Sequence, residues 1–281
     1  MKTDLLINAT ALNLLTCARH YQVEAAWGYR ERGPEAEFGL NFHDFAKAVS
    51  LGEQVDLMKI KGGEDKQFLQ LCAFYQAMNP FREAKILRDT NNKPCVEYQF
   101  CVPYRESEHY RIFLCGTIDQ IDIIDDCVRI IDHKTSRSTK AQEVLREYES
   151  HIQIPWYLWI LKRHLNIDFS PEIHDLLRED KLFGQYHGVF ISFSPAKFQL
   201  GNRILLTRDL ERDIEELLQI AIQKAIAIHE LGHELAPPEG MIAKICKYCF
   251  LNNLCITKKH EHLIIYLRSQ TPEPYDPRTW H

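Results

Sequence analysis

The 281-residue chain lacks several features that would place it in a class at once. No stretch approaches the roughly 20 apolar residues of a membrane-spanning helix. The opening residues, Met1 to Leu15, lack the basic start and unbroken apolar run of a secretory signal, so a cytoplasmic, reducing setting is expected. There is no excess of positive charge. The formal net charge is -5, which excludes a uniformly basic nucleic-acid coat but not a local basic groove. Neither an internal repeat nor a low-complexity tract is visible. A Gly-x4-Gly-Lys-[Ser/Thr] loop is also missing, which excludes an ATP-driven motor of that type. Nine cysteines are present, but not in the spacing of a disulfide framework. The number is odd and three crowd into residues 246–255, a pattern that suits metal ligation better than bridging.

What is there is a 45% hydrophobic chain long enough for a substantial core. Residues 1–90 read as mostly helical. Helical spacing shows around Leu12, Leu15 and Arg19, and again over 42–49, 55–60 and 68–78. Residues 31–38 and 61–65 read as loops. From Cys95 the texture changes to strands, over 95–103, 110–124 and 127–134. Helical spacing returns over 140–151 and 152–165. An irregular insertion is expected over 166–185, a strand over 188–193 and a long amphipathic helix over 208–235, stopped by Pro237-Pro238.

The most informative stretch runs from Gly116 to Lys134. If Asp125-Asp126 is a two-residue turn, Ile124 faces Cys127, Ile121 faces Ile130, and Asp119 faces Asp132. Directly opposed residues have Cβ atoms about 5 Å apart, close enough for two carboxylates to hold one cation. Lys134, two residues beyond Asp132, shares their face. Phosphodiester cleavage needs an activated water and stabilisation of charge on phosphate oxygens. A hard divalent ion on carboxylates serves both needs, and a fixed ammonium adds to the second. The plain alternative is a solvated hairpin face, against which stand the Ile and Val residues flanking the charges.

Gly-x-Ile-Asp followed by Ile-Ile-Asp-x-Lys-Thr resembles the catalytic core of RecB-like PD-(D/E)XK nucleases. The resemblance implies metal binding by Asp119 and Asp132, a main-chain carbonyl ligand from His133, and a role for Lys134 at the attacking water. Gln153-Ile-Pro-Trp-Tyr157 is similar to the family's Gln-x-x-x-Tyr element, and its two polar residues share a helix face. Pro155 places the start of that helix close by. Gly39-Leu-Asn-Phe-His43 resembles the Gly-x-x-x-His element, which would add His43 to the metal ligands. Glu97 occupies the place of a glutamate on the family's first strand and is an additional candidate. The implied cofactor is Mg2+ or Mn2+, and the implied substrate is DNA, with ends or single strands favoured and exonuclease action expected.

Cys246-x-x-Cys249-x5-Cys255 is one ligand short of a four-thiolate site. The resembled iron–sulfur nucleases, AddAB-type and CRISPR-associated, take a fourth cysteine from near the N-terminus, where Cys17 stands in this chain. The family's following proline is replaced here by Ala18. The resemblance implies a [4Fe–4S] cluster; the spacing alone admits zinc equally. A site joining Cys17 to the tail would close a loop around most of the chain. Cys72, Cys95, Cys101, Cys115 and Cys127 are expected to be buried small hydrophobes.

One competing motif belongs to another enzyme class. His229-Glu230-Leu-Gly-His233 fits the His-Glu-x-x-His pattern of zinc proteases. Pro237-Pro238 follows within a turn, and the extended family pattern of a further glycine and histidine is missing. The expected architecture is therefore α/β, a restriction-endonuclease-like mixed central sheet flanked by helices, forming one nuclease domain over 1–281. Its parts are a helical N-terminal region (1–90), a catalytic core (95–200), and a long helix with an iron–sulfur-bound tail (207–281). A non-catalytic DNA-binding or assembly module of the same fold is the alternative. Recombination, repair or CRISPR adaptation proteins are the partners implied by resemblance, and no membrane is expected.

Overall fold

A computed structural model describes residues 2–15, 17–23, 34–57, 59–60, 62, 65–165, 168–178, 181–193 and 195–232. In chain order its elements are β1 (Thr3–Ile7), α1 (Ala9–Leu14), α2 (Ala18–Tyr21), α3 (Pro34–Ser50), α4 (Lys66–Met78), β2 (Lys85–Ile86), β3 (Val96–Glu106) and β4 (Tyr110–Ile124). There follow β5 (Cys127–Ser136), α5 (Ala141–Glu149), α6 (Gln153–Arg163), α7 (Pro171–Arg178), β6 (Leu182–Phe190), β7 (Lys197–Leu200), β8 (Ile204–Leu205) and α8 (Arg208–Glu230). The chain divides into two compact units, one built from residues 33–99 and 117–214, the other from 1–32, 100–116 and 215–280.

The first of these holds a mixed sheet. β4 pairs antiparallel with β5, with Ile124 opposite Cys127, Ile121 opposite Ile130 and Gln120 opposite Ile131. This is the register expected for a two-residue turn. Asp125 and Asp126 both take left-handed conformations, with φ of 51° and 56°, as a primed hairpin turn requires. β5 then pairs parallel with β6, and β6 carries β7 and β8 antiparallel on its far side. Every residue of β6 is buried, the signature of a strand covered on both faces.

On one face, Phe42, Phe45 and Val49 of α3 and Phe68, Leu71 and Tyr75 of α4 pack with Ile131 of β5 and Val189 of β6. On the other, α5 and α6 lie close against β6. A Cβ on Gly184 would stand 2.2 Å from Ile154 Cγ2, so only glycine admits α6 at this spacing. Asp65 caps α4 by accepting from the Gln67 amide at 2.7 Å, and Asn79 closes that helix in the left-handed region.

In the second unit β1 pairs parallel with the first part of β4, from Thr3 opposite Tyr110 to Ile7 opposite Leu114. Arg111 grips Asp4 with two bonds of 2.6 and 2.8 Å. The Asn8 side chain caps α1 through the Ala11 amide. Cys101 of β3 and Cys115 of β4 are joined as a disulfide. That corrects the expectation of buried free thiols at both positions: the sulfurs meet across neighbouring strands, and Cys101 is exposed. Cys72 and Cys95 are buried free thiols, each pushed up to about 12 mainly by burial, while Cys127 is half-buried.

Other expectations also need correction. α3 begins at Pro34, not after residue 38, with proline in a first-turn position that loses no hydrogen bond. Residues 55–57, 59 and 60 are not helical. Val55, Leu57 and Ile60 instead lean on the core as partly buried residues, so their apolar character reported packing and not periodicity. The stretch expected as an insertion contains α7 and the first part of β6, which runs over Leu182–Phe190 and not 188–193. β1, β2, β7 and β8 were not foreseen. α8 stops at Glu230, with Gly232 at φ 59° ending the helical path before residue 235. Among the described residues no helix is long and apolar enough to cross a membrane.

Candidate active site

β4 and β5 supply the centre of the site, α3 and β3 one wall, and α6 the other. Gly39 of α3 faces β5: a Cβ there would stand 3.4 Å from Thr135 Oγ1, an ordinary contact. One turn further along, His43 reaches the end of the β4–β5 ladder. Its Nδ1 lies 3.4 Å from Asp119 Oδ2 and 3.5 Å from Glu97 Oε1. Potential ligand atoms of His43, Glu97 and Asp119 all fall within 4.8 Å of one another, the one such group among the described residues.

Glu97 gets there by an unusual backbone. Its φ is 49°, inside a strand and on a residue with a full side chain. Such a conformation costs about 1–3 kcal/mol and persists where surrounding structure enforces it. A strand kink of this kind re-aims a side chain, and here the carboxylate is delivered to His43.

Asp119 also accepts a hydrogen bond from the His133 amide at 2.6 Å. Beyond the Gln120–Ile131 pair, a side chain thus takes over from the backbone ladder. Asp132 is almost fully buried and stands outside the three-residue group. Lys134 Nζ is 2.7 Å from Asp132 Oδ2, yet neither carboxylate oxygen receives a well-aligned hydrogen bond among the described residues. Burial, with the negative charge of Asp119, lifts Asp132 to about 6 despite the neighbouring lysine. Burial opposes charge on Lys134 too, but Asp132 and Asp119 outweigh it and raise its pKa, so the ammonium is retained. For His43, burial works against protonation, while Asp119 and Glu97 overcome it and carry the imidazole up to about 9.

α6 contributes from the opposite side. Lys134 donates to Gln153 Oε1 at 2.9 Å, and Gln153 Nε2 donates to the Tyr157 hydroxyl at 3.2 Å. Gln153 opens the helix and Pro155 sits in its first turn, as the sequence pattern required. Tyr157 is buried, and burial followed by the charges of Asp132 and Asp119 keeps its phenol neutral. The pair therefore holds the lysine through a fixed relay, with the ring of Tyr186 6.0 Å from the ammonium as a further wall.

The His133 ring lies edge-on to that of His43, with centroids 5.9 Å apart. Its Nδ1 lies 2.9 Å from Nδ1 of His187, so one ring donates and the other accepts. Burial depresses both, His187 to about 3, and each is neutral. His187 and Tyr186 were missed in the sequence because only the parallel β5–β6 register, Asp132 opposite Tyr186 and His133 opposite His187, brings them here.

Cys17 is buried at the N-cap of α2 and forms no disulfide with a described residue. Cys246, Cys249 and Cys255 lie outside the described residues, as does His233. His229 and Glu230 end α8, and the turn at Leu231-Gly232 removes the continuous helix that a His-Glu-x-x-His zinc site needs.

A family model described as the PD-(D/E)XK nuclease superfamily matches residues 7–256. No curated protein matches the chain. Among solved structures, SSO0001 is similar over 90% of this chain and 86% of its own, with 16% identity and a TM-score of 0.39. The "Putative exonuclease" from Eubacterium rectale is similar over 86% and 87%, with 12% identity and a TM-score of 0.49.

Proposed function

Because the chain belongs to the PD-(D/E)XK nuclease superfamily, a family of phosphodiester hydrolases that use divalent metals, we propose that it is a RecB-like DNA nuclease dependent on Mg2+ or Mn2+. The observation that carries this reading is the convergence of His43, Glu97, Asp119, Asp132 and Lys134, from four separate elements, on one buried spot. The donors fit the ion. Carboxylate oxygens with one imidazole suit Mg2+ or Mn2+, and the buried Asp132 carboxylate lacks aligned hydrogen bonds that a cation would replace. His43, Glu97 and Asp119 would hold it, with Asp132 and the His133 carbonyl as further ligands. When bound, the ion supplies Lewis acidity to a phosphate oxygen and to water.

The chain's own groups supply the rest. Lys134, kept charged by Asp132 and Asp119, offers a fixed ammonium to the attacking water and to charge gathering on the phosphate. Gln153 and Tyr157 hold it in place and leave it little freedom to reorient.

The finer reading is exonuclease action on DNA ends or single strands, in a cytoplasmic repair, recombination or CRISPR adaptation setting. A [4Fe–4S] cluster on Cys17, Cys246, Cys249 and Cys255 would close one nuclease domain, with zinc as the alternative. The unbridged, buried Cys17 is compatible with that role. Iron and sulfide stoichiometry after anaerobic purification tests it: zinc in place of iron removes the cluster. The nuclease reading is tested with end-labelled single- and double-stranded DNA and Mg2+ or Mn2+, wild type beside Asp132→Ala. Undiminished cleavage by the variant would sink it.

A further inference from the structure

A hollow of about 520 Å³ lies in the same unit as the candidate active site, between α4 and the segment linking β6 to β7. Its size is that of a small-molecule site. Gln67, Gln70 and Phe74 enter it from one face of α4, at intervals of three and four residues. Ser192 and Phe193 enter from the linking segment. Phe74 is fixed from behind by Phe198, stacked at 5.4 Å with the rings 22° apart. The Lys197 ammonium lies 5.8 Å from the centre of the Phe193 ring and makes no ion pair among the described residues. Among the described residues no carboxylate lines the hollow.

Its wall is tied to the strand that carries the candidate active site. The Ile191 amide donates to the Ser136 carbonyl at 3.0 Å, and the Ser192 hydroxyl donates to the Arg137 carbonyl. Ser136 is two residues beyond Lys134 on β5, about 7 Å along the strand.

We propose that this hollow receives one unpaired nucleobase of a single-stranded DNA segment whose backbone runs to the candidate active site. The inference deepens the nuclease reading and rests on it. Each feature matches a part of that ligand. Two phenyl rings line the hollow, and stacking of a flat heterocycle on such rings accepts any base. Two primary amides, each with donors and an acceptor, match the mixed edge that a base exposes only when unpaired. The Lys197 ammonium beside Phe193, and a described lining without carboxylates, suit the phosphates on either side. An apolar ligand would leave the amides without matched partners.

The test uses the full-length chain carrying Asp132→Ala, so that bound DNA stays intact. A labelled single-stranded oligonucleotide is scanned with an abasic site at each position, and affinity is read by anisotropy with and without Phe193→Ala. One abasic position should weaken binding about 5- to 100-fold. Phe193→Ala should weaken intact DNA similarly, and the two changes together should be no worse than either alone. Phe193→Tyr should restore affinity and the abasic penalty. Gln70→Ala, on the exposed surface of α4, should show the same coupling if Phe193→Ala melts early. A flat abasic scan, or penalties that multiply, overturns the pocket. Wild-type cleavage in parallel separates the two ideas: DNA cut without coupling removes only the pocket, while DNA neither bound nor cut removes both.

Discussion

The β4–β5 hairpin carries two buried acid–base pairs, and they could hardly be treated more differently. Near the turn, Arg129 grips Asp122 through two bonds of 2.9 Å. Gln120 adds a third at 2.7 Å and is itself held by Ser50 at 2.8 Å. The guanidinium also lies 5.4 Å from the centre of the Phe81 ring. Further along, Asp132 has, among the described residues, one ionic contact with Lys134 and no aligned hydrogen bond. Both acids are almost completely buried. Burial of charge therefore does not distinguish a site from a scaffold; incomplete coordination does. The Asp122 pair is closed on itself, whereas the Asp132 pair is poised to accept something else.

The contrast is sharpest in activity. Asp132→Ala or Lys134→Ala should reduce Mn2+-dependent DNA cleavage by about 10²–10⁴-fold with the fold retained, as read by initial rates beside circular dichroism. Comparable rates in variant and wild type would erase the distinction between the pairs. Arg129→Ala should act on the fold, lowering stability by about 3–5 kcal/mol because Asp122 is left buried and uncompensated. Denaturant unfolding checks this, with the expectation that Asp132→Ala loses much less. Gly184→Ala should fall between these classes. Its new methyl meets Ile154, so stability should drop by about 1–3 kcal/mol, and cleavage should fall as well because α6 carries Gln153 and Tyr157.

The smallest effect concerns pH. His43 is raised to about 9 without metal, so its stabilising proton is fully present below its ordinary value near 6.5 and lost as pH climbs through about 9. A metal ion must displace that proton. Apparent Mn2+ affinity should therefore rise about tenfold per pH unit between roughly 7 and 9. Titration calorimetry of wild type and His43→Ala should show the slope in the first and its loss in the second. Asp132 shifts in the same direction but over a lower range. Its raised value favours the protonated fold, a preference lost as pH passes about 6.

The hairpin was legible because β alternation and a two-residue turn leave one sensible register, and a helix face is read as easily for Gln153 and Tyr157. The closed pair of Asp122 and Arg129 was not, since both look like ordinary solvated charges until the helices on that face are in place. His187 and Tyr186 depended on a parallel pairing between strands separated by two helices and α7, which local pattern does not encode. Glu97 was noticed only by resemblance: its left-handed backbone follows from the assembled site and leaves no mark in the Val-Glu-Tyr sequence. Residues 55–60 failed for a simpler reason, because apolar residues a turn apart serve a loop resting on the core as well as a helix.

The turn at Asp125-Asp126 has a further implication for how this chain can change over generations. Hairpin tips are ordinarily where loops lengthen and shorten freely. Here the tip is free in composition, since Asn-Gly would satisfy the same dihedral angles, but it is constrained in length. An added residue that entered the ladder would slide β5 along β4 and send Asp132 and Lys134 to the opposite side from Asp119. Descendants of this chain can rewrite the letters at the tip, but they can lengthen it and still keep the carboxylates together only where the extra residue is taken up by a three-residue loop with its own bulge.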